Sequence, residues 1–398
     1  MTDTNKVTVA ENVYWVGAVD WSVRTFHGYT YTTPLGTSYN AYLILDDKIA
    51  LVDAVYGRFA DEMIERIRAH IDPAKIDYVI ANHVETDHSG ALAAILSLAK
   101  NAKVVCDARC KDGLEKYYYG NWNYQIVKTG DTIKLGKKTL SFIEAPMLHW
   151  PDSMFTYIPE DELLLPNDAF GQHLASTERF ADEYDEAVLM REAAKYYANI
   201  LMPMSKLVAK KIEEISQLNL SIKTIAPSHG LIWREPAKII EAYQRWADGE
   251  GDKSVLVVFD TMWGSTEKMA FAIIEGIAAE KVPAKLVKIA VSDRSDAICD
   301  CLLMKGILVG SSTINSGMLP TLAPFLEDLK GLKPRKKLGA AFGSHGWGGG
   351  GAKAVDKVLR EAGVEMVADP LTVKYVPNDD ELAKCYQFGK EFARRIKG

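Results

Sequence analysis

The stretch "DYVIANHVETDHSG", residues 77–90, decides the fold: an apolar, strand-like run stops at Asn82, and two histidines and two carboxylates follow within residues 83–88. Residues two apart project to the same side of an extended backbone, so His83, Glu85 and Asp87 are expected to converge. His88 turns another way as the helical stretch "SGALAAILSLA" begins, and one short loop can thus serve two metals. Three later apolar runs, "TLSFIEAPMLH", "ELLLPND" and "KTIAPSH", also end in metal-capable residues, His149, Asp168 and His229. Loops that leave strand ends can gather on one edge of a sheet.

A lone histidine in such a place is more often a hydrogen-bonded loop or core residue than a ligand. The cluster changes that balance, because carboxylates and imidazoles so close would repel or titrate without a cation between them. A donor set of imidazoles and carboxylates with no thiolate excludes iron–sulfur chemistry and fits zinc, iron or manganese. Glu85 narrows the choice. Its negative charge favours a trivalent ion where a hydrolytic zinc site would tolerate histidine, which points to redox iron. Asp168 is the candidate for a carboxylate bridging two cations.

Outward from this core, residues up to about 225 alternate β-rich and helical runs. "YNAYLILDDKIALVDAV" reads as a hairpin turning at Asp46, Asp47 and Lys48. "DEAVLMREAAKYYANILMPMSKLVAKKIEEISQL" reads as helical with an interruption at Pro203. Near "ADGEGDK" the composition turns polar and glycine-containing, and "SVLVVFD" opens a new regime of alternating strands and helices. We therefore expect one domain over 1–249 and a second, a doubly wound parallel α/β sheet, over 254–398.

The second domain opens with "SVLVVFDTMWGSTEKMAFAII", a strand, a hydroxyl-rich turn and a helix. Thr261, Ser265 and Thr266 offer hydroxyls, the turn Met262–Trp263–Gly264 offers backbone amides, and the helix N-terminus adds a positive dipole, which together suit a phosphate. With no G-x-x-x-x-G-K-[ST] loop, a mononucleotide such as FMN is favoured over a nucleoside triphosphate. Two later loops complete the cleft. One contributes Ser312, Thr313, Ile314 and Asn315; the other contributes Ser344, Gly346, Trp347, Gly348 and Gly349, with Trp347 placed to stack on or edge a flavin ring. Gly346, Gly348 and Gly351 spell a literal G-x-G-x-x-G, but a dinucleotide fingerprint belongs on the first strand of its domain.

A formal net charge of −6 gives no footprint for nucleic acid, and the one basic run, "KPRKK" at 333–337, reads as a solvated loop. No segment approaches a membrane span and the N-terminus lacks a leader pattern, so a cytoplasmic location is expected. The five cysteines include no C-x-x-C pair, so any thiolate-ligated iron carrier must be a separate protein.

"HVETDHSG" with His149, Asp168 and His229 resembles the metallo-β-lactamase fold, an αββα sandwich whose hydrolases usually show H-x-H-x-D-H. The glutamate at the second position, with the flavodoxin-like second half, resembles the flavodiiron protein family over almost the whole chain. The resemblance implies that His83, Glu85 and His149 bind one non-haem iron, that Asp87, His88 and His229 bind the other, and that Asp168 bridges them. Some members carry a non-liganding residue at the position of His88. The resemblance further implies reduction of O2 to water or of NO to N2O, with electrons relayed through FMN from an external donor such as rubredoxin or reduced deazaflavin. It also implies a head-to-tail homodimer. His27, His173 and Tyr196 are candidates for hydrogen bonding or proton delivery near the irons. The competing reading is a dizinc hydrolase with an accessory flavodoxin-like module.

Overall fold

The structure, a computed structural model, describes residues 6–398; the opening residues of the stretch read for a leader lie outside the described residues. The chain divides into two compact units. One comprises Met1–Phe26, Thr33–Ala193 and Leu207–Tyr243, and the other comprises His27–Thr32, Ala194–Lys206 and Gln244–Gly398.

The first unit is built on two sheets. The larger runs in the spatial order Val7–Ala10, Val13–Trp15, Tyr42–Ile44, Ala50–Val52, Tyr78–Ile80, Lys103–Cys106, Tyr124–Ile126. Tyr42–Ile44 and Ala50–Val52 form the antiparallel hairpin read from the sequence, and Ala50–Val52 then pairs in parallel with Tyr78–Ile80. Alternate side chains serve two cores. Tyr42, Ile44, Ala50, Val52, Tyr78 and Ile80 face the second sheet, whereas Leu43, Leu51 and Val79 pack with the helical side chains Met63, Ile67, Leu92 and Ile95. Burial on both faces is why these strands read as unbroken apolar runs rather than as alternating ones.

The second sheet has the order Thr132–Lys134, Thr139–Glu144, Met154–Ile158, Leu163–Leu165, Thr224–Ile225. Phe142, Met154, Ile158, Leu163 and Leu165 fill the space between the sheets. His149, Asp168 and His229 all follow strands of this sheet, and His83 follows Tyr78–Ile80 of the other. Ligands from both sheets thus leave strand ends of one sandwich.

In the second unit, parallel strands run in the order Ala284–Lys288, Asp252–Asp260, Met304–Ser311, Leu338–His345, with Glu365–Met366 and Leu371–Lys374 both pairing with the last of these. This is the doubly wound order in which ligands bind beyond the carboxyl ends of the strands. Val255, Val257 and Phe259 pack on Met269, Ile273 and Ile277 of the helix Ser265–Ala279 and on Phe392 and Ile396 of the helix Asp379–Lys397.

The long helical stretch is interrupted where Pro203 requires it. The helix Glu186–Tyr196 passes through a π-helical turn, Tyr197–Leu201, and a 3-10 turn, Met202–Met204, before resuming at Ser205–Gln217. The basic run 333–337 departs from its expected solvated state: Lys337 is buried, and its Nζ donates to Leu302 O at 2.6 Å.

Candidate functional site

Seven side chains of the first unit gather into two groups of potential metal ligands: His83, Glu85, His149 and Asp168 in one, and Asp87, His88 and His229 in the other. The helical turn Thr86–Ser89 separates them. Strand alternation would put Asp87 with His83 and Glu85; because the backbone coils after Glu85, Asp87 instead joins His88 in the second group. Asp168 faces both groups. Its Oδ2 lies 3.3 Å from His149 Nε2 and 3.7 Å from His83 Nε2, while its Oδ1 lies 2.9 Å from His88 Nε2 and 3.5 Å from His229 Nε2. Glu85 Oε2 sits 3.4 Å from Nε2 of both His83 and His149, and Asp87 Oδ2 sits 3.1 Å from His229 Nε2.

The donor set fits two hard or borderline cations, since it is oxygen and nitrogen throughout. Asp87 Oδ1 is buried without a hydrogen bond. Ligand atoms arranged around an ion face one another in this way. The electrostatics agree. Burial alone would lower the His83 imidazole, but hydrogen bonds to Asp152 and Glu85 and the charge of Asp168 outweigh it and bring the pKa to about 10. His88, against the charges of Asp168 and Asp87, rises to about 9 despite its burial, and so does His149 through its bonds to Asp168 and Glu85. Asp168 is driven well below the usual carboxylate range, the neighbouring His88 charge overcoming the cost of burial. The cluster is rich enough in negative charge to raise His83, His88 and His149 despite their burial, and metal ions answer the same field.

Asp53 organises the loops and was missed in the sequence. It is buried, in the left-handed region at φ 58°, and accepts from Asn82 N at 2.8 Å, Asn82 Nδ2 at 3.1 Å and Asn167 Nδ2 at 3.2 Å. Asn82 and Asn167 immediately precede His83 and Asp168. Burial pushes the Asp53 carboxyl up against the opposing pull of His88 and these amides. Its only sequence signal is a carboxylate directly after the apolar run "ALV".

His173, one of the candidates for hydrogen bonding, lies beside this cluster. Its Nδ1 is 2.9 Å from Thr37 Oγ1, and its ring stacks on Phe26 at 4.1 Å and meets the His229 ring at 4.8 Å. His27 and Tyr196 fall in segments that belong to the second unit. His27 occupies a left-handed turn at φ 48°, and Tyr196 is buried at the end of its helix.

In the second unit, four loops at the carboxyl ends of strands enclose a cleft of 410 Å³ lined by Met262, Trp263, Ser265, Ser312, Thr313, Ser344, His345, Gly346, Trp347, Tyr375 and Val376. An adjoining hollow adds Ile314, Asn315, Ser316, Gly348 and Gly349. Thr266 ties the loops together: its Oγ1 lies 2.9 Å from both Ser312 Oγ and Ser344 Oγ. Gly264, at φ 86°, opens the helix Ser265–Ala279, and its N–H donates to Thr261 Oγ1 at 3.1 Å. No side chain caps that helix, so its first amides face a hydroxyl-lined cleft, as a phosphate requires. Trp263 and Trp347 stand 93% and 89% exposed beside it, two aromatic surfaces that a planar ring would cover. His345, Ser316, Tyr375 and Val376 were not anticipated. Tyr375 and Val376 follow the strand Leu371–Lys374, and the stretch "YVP" at 375–377 carries no glycine, serine or threonine.

Residues 37–230 match the family described as ODP family beta lactamase, and residues 257–389 match the flavodoxin family. A nitric oxide reductase of Moorella thermoacetica is 54% identical over 98% of each chain. The solved flavodiiron protein of Giardia intestinalis superposes with a TM-score of 0.95 at 36% identity, covering 98% of this chain and 97% of that one. The chain belongs to the flavodiiron family. Rubredoxin oxygen:oxidoreductase of Desulfovibrio gigas, with the same TM-score of 0.95 and 36% identity over 98% of each chain, is a further relative. A flavodiiron protein carries a non-haem diiron site and FMN, and the paired ligand groups and the hydroxyl-lined cleft are the places this chain offers for them.

Proposed function

We propose that this chain is an oxidoreductase that reduces O2 to water, NO to N2O, or both, at a diiron centre in 1–249, with electrons delivered through FMN in 254–398. The observation that carries the reading is Asp168, whose two oxygens face two separate ligand groups in a chain that also builds a flavin cleft. The similar nitric oxide reductase and rubredoxin oxygen:oxidoreductase support both gases as substrates. Glu85 weighs against the dizinc hydrolase.

When bound, two ferrous irons and a flavin hydroquinone supply four electrons, enough to take O2 to two waters, whereas two electrons take two NO to N2O and one water. The chain's own residues set the conditions. His83, Glu85 and His149 would hold one iron, Asp87, His88 and His229 the other, and the Asp168 carboxylate would offset the repulsion between them. His173, hydrogen-bonded to Thr37 and packed on His229, fixes the orientation of that ligand, and His27 and Tyr196 are retained as candidates for proton delivery. In the second unit, Thr261, Ser265 and the amides opening the helix Ser265–Ala279 receive the phosphate, while Trp263 and Trp347 flank the ring.

We further place the enzyme in the cytoplasm as a head-to-tail homodimer supplied by an external donor, with rubredoxin or reduced deazaflavin as the candidates. Free, buried cysteines suit a reducing compartment, and among the described residues no helix is long and apolar enough to cross a membrane. Similarity to the rubredoxin oxygen:oxidoreductase of Desulfovibrio gigas supports rubredoxin as donor. The deciding measurement is metal and flavin content of the purified protein, with anaerobic O2 and NO consumption by its reduced form. Iron and FMN with rapid consumption of either gas are expected; zinc, with no turnover despite intact FMN, would overturn the reading.

A further inference from the structure

We propose that Asp152 is a positioning residue that orients His83 and places its outer-sphere negative charge behind the metal position that His83 serves; this rests on the diiron reading above. Asp152 is buried, and its Oδ2 lies 3.1 Å from His83 Nδ1. The same oxygen accepts from Val84 N at 2.7 Å. An ionised carboxylate only accepts, so His83 carries its proton on Nδ1 and presents the Nε2 lone pair to the group formed with Glu85 and Asp168. A carboxylate behind a metal-bound imidazole fixes its tautomer and raises its basicity.

The sequence placement gives Asp152 a second task. It lies three residues after His149, in a turn closed by Ala145 N to Ser153 O at 2.8 Å and Met147 N to Trp150 O at 2.7 Å. By gripping Val84 N and His83 at once, Asp152 staples the loop that carries His83 and Glu85 to the loop that carries His149. One carboxylate therefore sets the relation between the two loops of that position.

The Asp152 contacts are confined to the His83 position, and the outer carboxylate felt by His88 is Asp53, whose own pKa burial raises. His229 Nδ1 donates to the neutral carbonyl of Ser38 at 2.7 Å, and His88 Nδ1 is buried without a hydrogen bond. The inner carboxylates are matched, Glu85 at one position and Asp87 at the other with Asp168 facing both, so the difference comes from Asp152. With its charge behind His83, Asp152 would make the His83 position hold its iron more tightly than it could without that carboxylate.

The experiment compares wild type, Asp152→Asn and Asp152→Glu as purified, iron-loaded enzymes. Iron release to a chelator is followed with Mössbauer spectra of ⁵⁷Fe-enriched samples, and FMN content and thermal unfolding report integrity. In Asp152→Asn one iron should leave about 10–100-fold faster while the other keeps its wild-type rate, with one of the two Mössbauer components altered. Asp152→Glu, which keeps the charge, should restore most of the retention. Release of both irons at wild-type rates, or equal acceleration of both, would overturn the proposal. Should Asp152→Asn not fold, Asp152→Ser is read in the same way: faster release and a spectral change confined to one component support the assignment, and no change or a change in both overturns it. Zinc in the wild type with the same one-sided release would overturn the diiron reading and leave the role of Asp152 standing.

Discussion

At the scale of the residue, Glu85 and Lys337 show two ways a single side chain sets the chemistry or stability of its surroundings. Glu85 gives the His83 position a second carboxylate within 3.4 Å of two imidazoles. Glu85→His should therefore lower iron retention by more than the ~10–100-fold that loss of an outer partner causes, and shift the purified metal towards zinc. Metal analysis beside NO consumption checks this, and unchanged iron content would contradict it. Lys337 is held by burial at a pKa of about 8, well below its ordinary value. Above about pH 8 the folded chain releases this proton while the unfolded chain keeps it, so stability rises towards pH 10.5 and is lost again as pH falls back through 8. Charging the buried ammonium at neutral pH costs on the order of 3 kcal/mol, against ~1 kcal/mol from its bond to Leu302 O. Lys337→Met should thus stabilise the second unit at pH 7 and flatten its stability between pH 8 and 10, read as the temperature of flavin release. The candidate ligands His83, His149, Asp168 and His229 were legible because each follows closely on an apolar run, and Glu85, Asp87 and His88 because they crowd behind the first of them. Asp53 ends such a run too, but nothing in its type distinguishes a residue that holds loops from one that holds metal. Lys337 was misread for the opposite reason: a basic run looks solvated until the fold buries one member.

At the scale of the element, strand and helix patterns carried most of the fold. Hairpin, parallel crossovers and the break at Pro203 all follow from apolar periodicity and turn chemistry. What escaped was local coiling after Glu85, because a helical turn as short as Thr86–Ser89 leaves no periodic signature and yet decides which group Asp87 joins. Likewise, the segments His27–Thr32 and Ala194–Lys206 belong to the second unit through tertiary packing, such as Tyr197 against Trp246 at 5.4 Å, which no local pattern encodes. Two elements make separable predictions. Thr266, in the first turn of the helix Ser265–Ala279, joins the loops of Ser312 and Ser344, so Thr266→Val should weaken FMN binding by about 5- to 100-fold, the worth of two hydrogen bonds. Titrating flavin-stripped protein with FMN by fluorescence quenching measures it; wild-type affinity would show that the loops hold without the hydroxyl. Asp53→Ala leaves buried amides of Asn82 and Asn167 without their acceptor, at ~1–3 kcal/mol each. Because those amides steady the segments before His83 and Asp168, both irons should be lost together, in contrast to the one-sided loss at Asp152. Iron stoichiometry distinguishes the two.

At the scale of the whole molecule, the candidate iron ligands belong to one compact unit and the candidate flavin cleft to the other. Electrons must therefore cross between units, either within one chain or between the two chains of the proposed dimer. Symmetry makes the alternatives separable. In a head-to-tail dimer each contact repeats, so one subunit's flavin serves the partner's irons and the reverse. A chain lacking iron through His83→Ala and a chain lacking FMN through Thr266→Val combined with Gly264→Val are each expected to be inactive alone. Gly264→Val is strained because a β-branched residue strongly disfavours the φ of 86° found there. When the two are mixed and allowed to exchange subunits, random pairing makes half of the dimers hybrids. In a hybrid, the FMN of the iron-free chain faces the irons of the flavin-free chain, one working pair out of two. Gas consumption should then recover to roughly a quarter of the wild-type rate if electrons pass between subunits. If they pass only within a chain, no hybrid contains a working pair and the mixture stays silent. Native mass spectrometry of the same mixture reports the hybrids directly, so silence in the presence of hybrid dimers would overturn the head-to-tail arrangement, and recovery would assign each flavin to the irons across the interface.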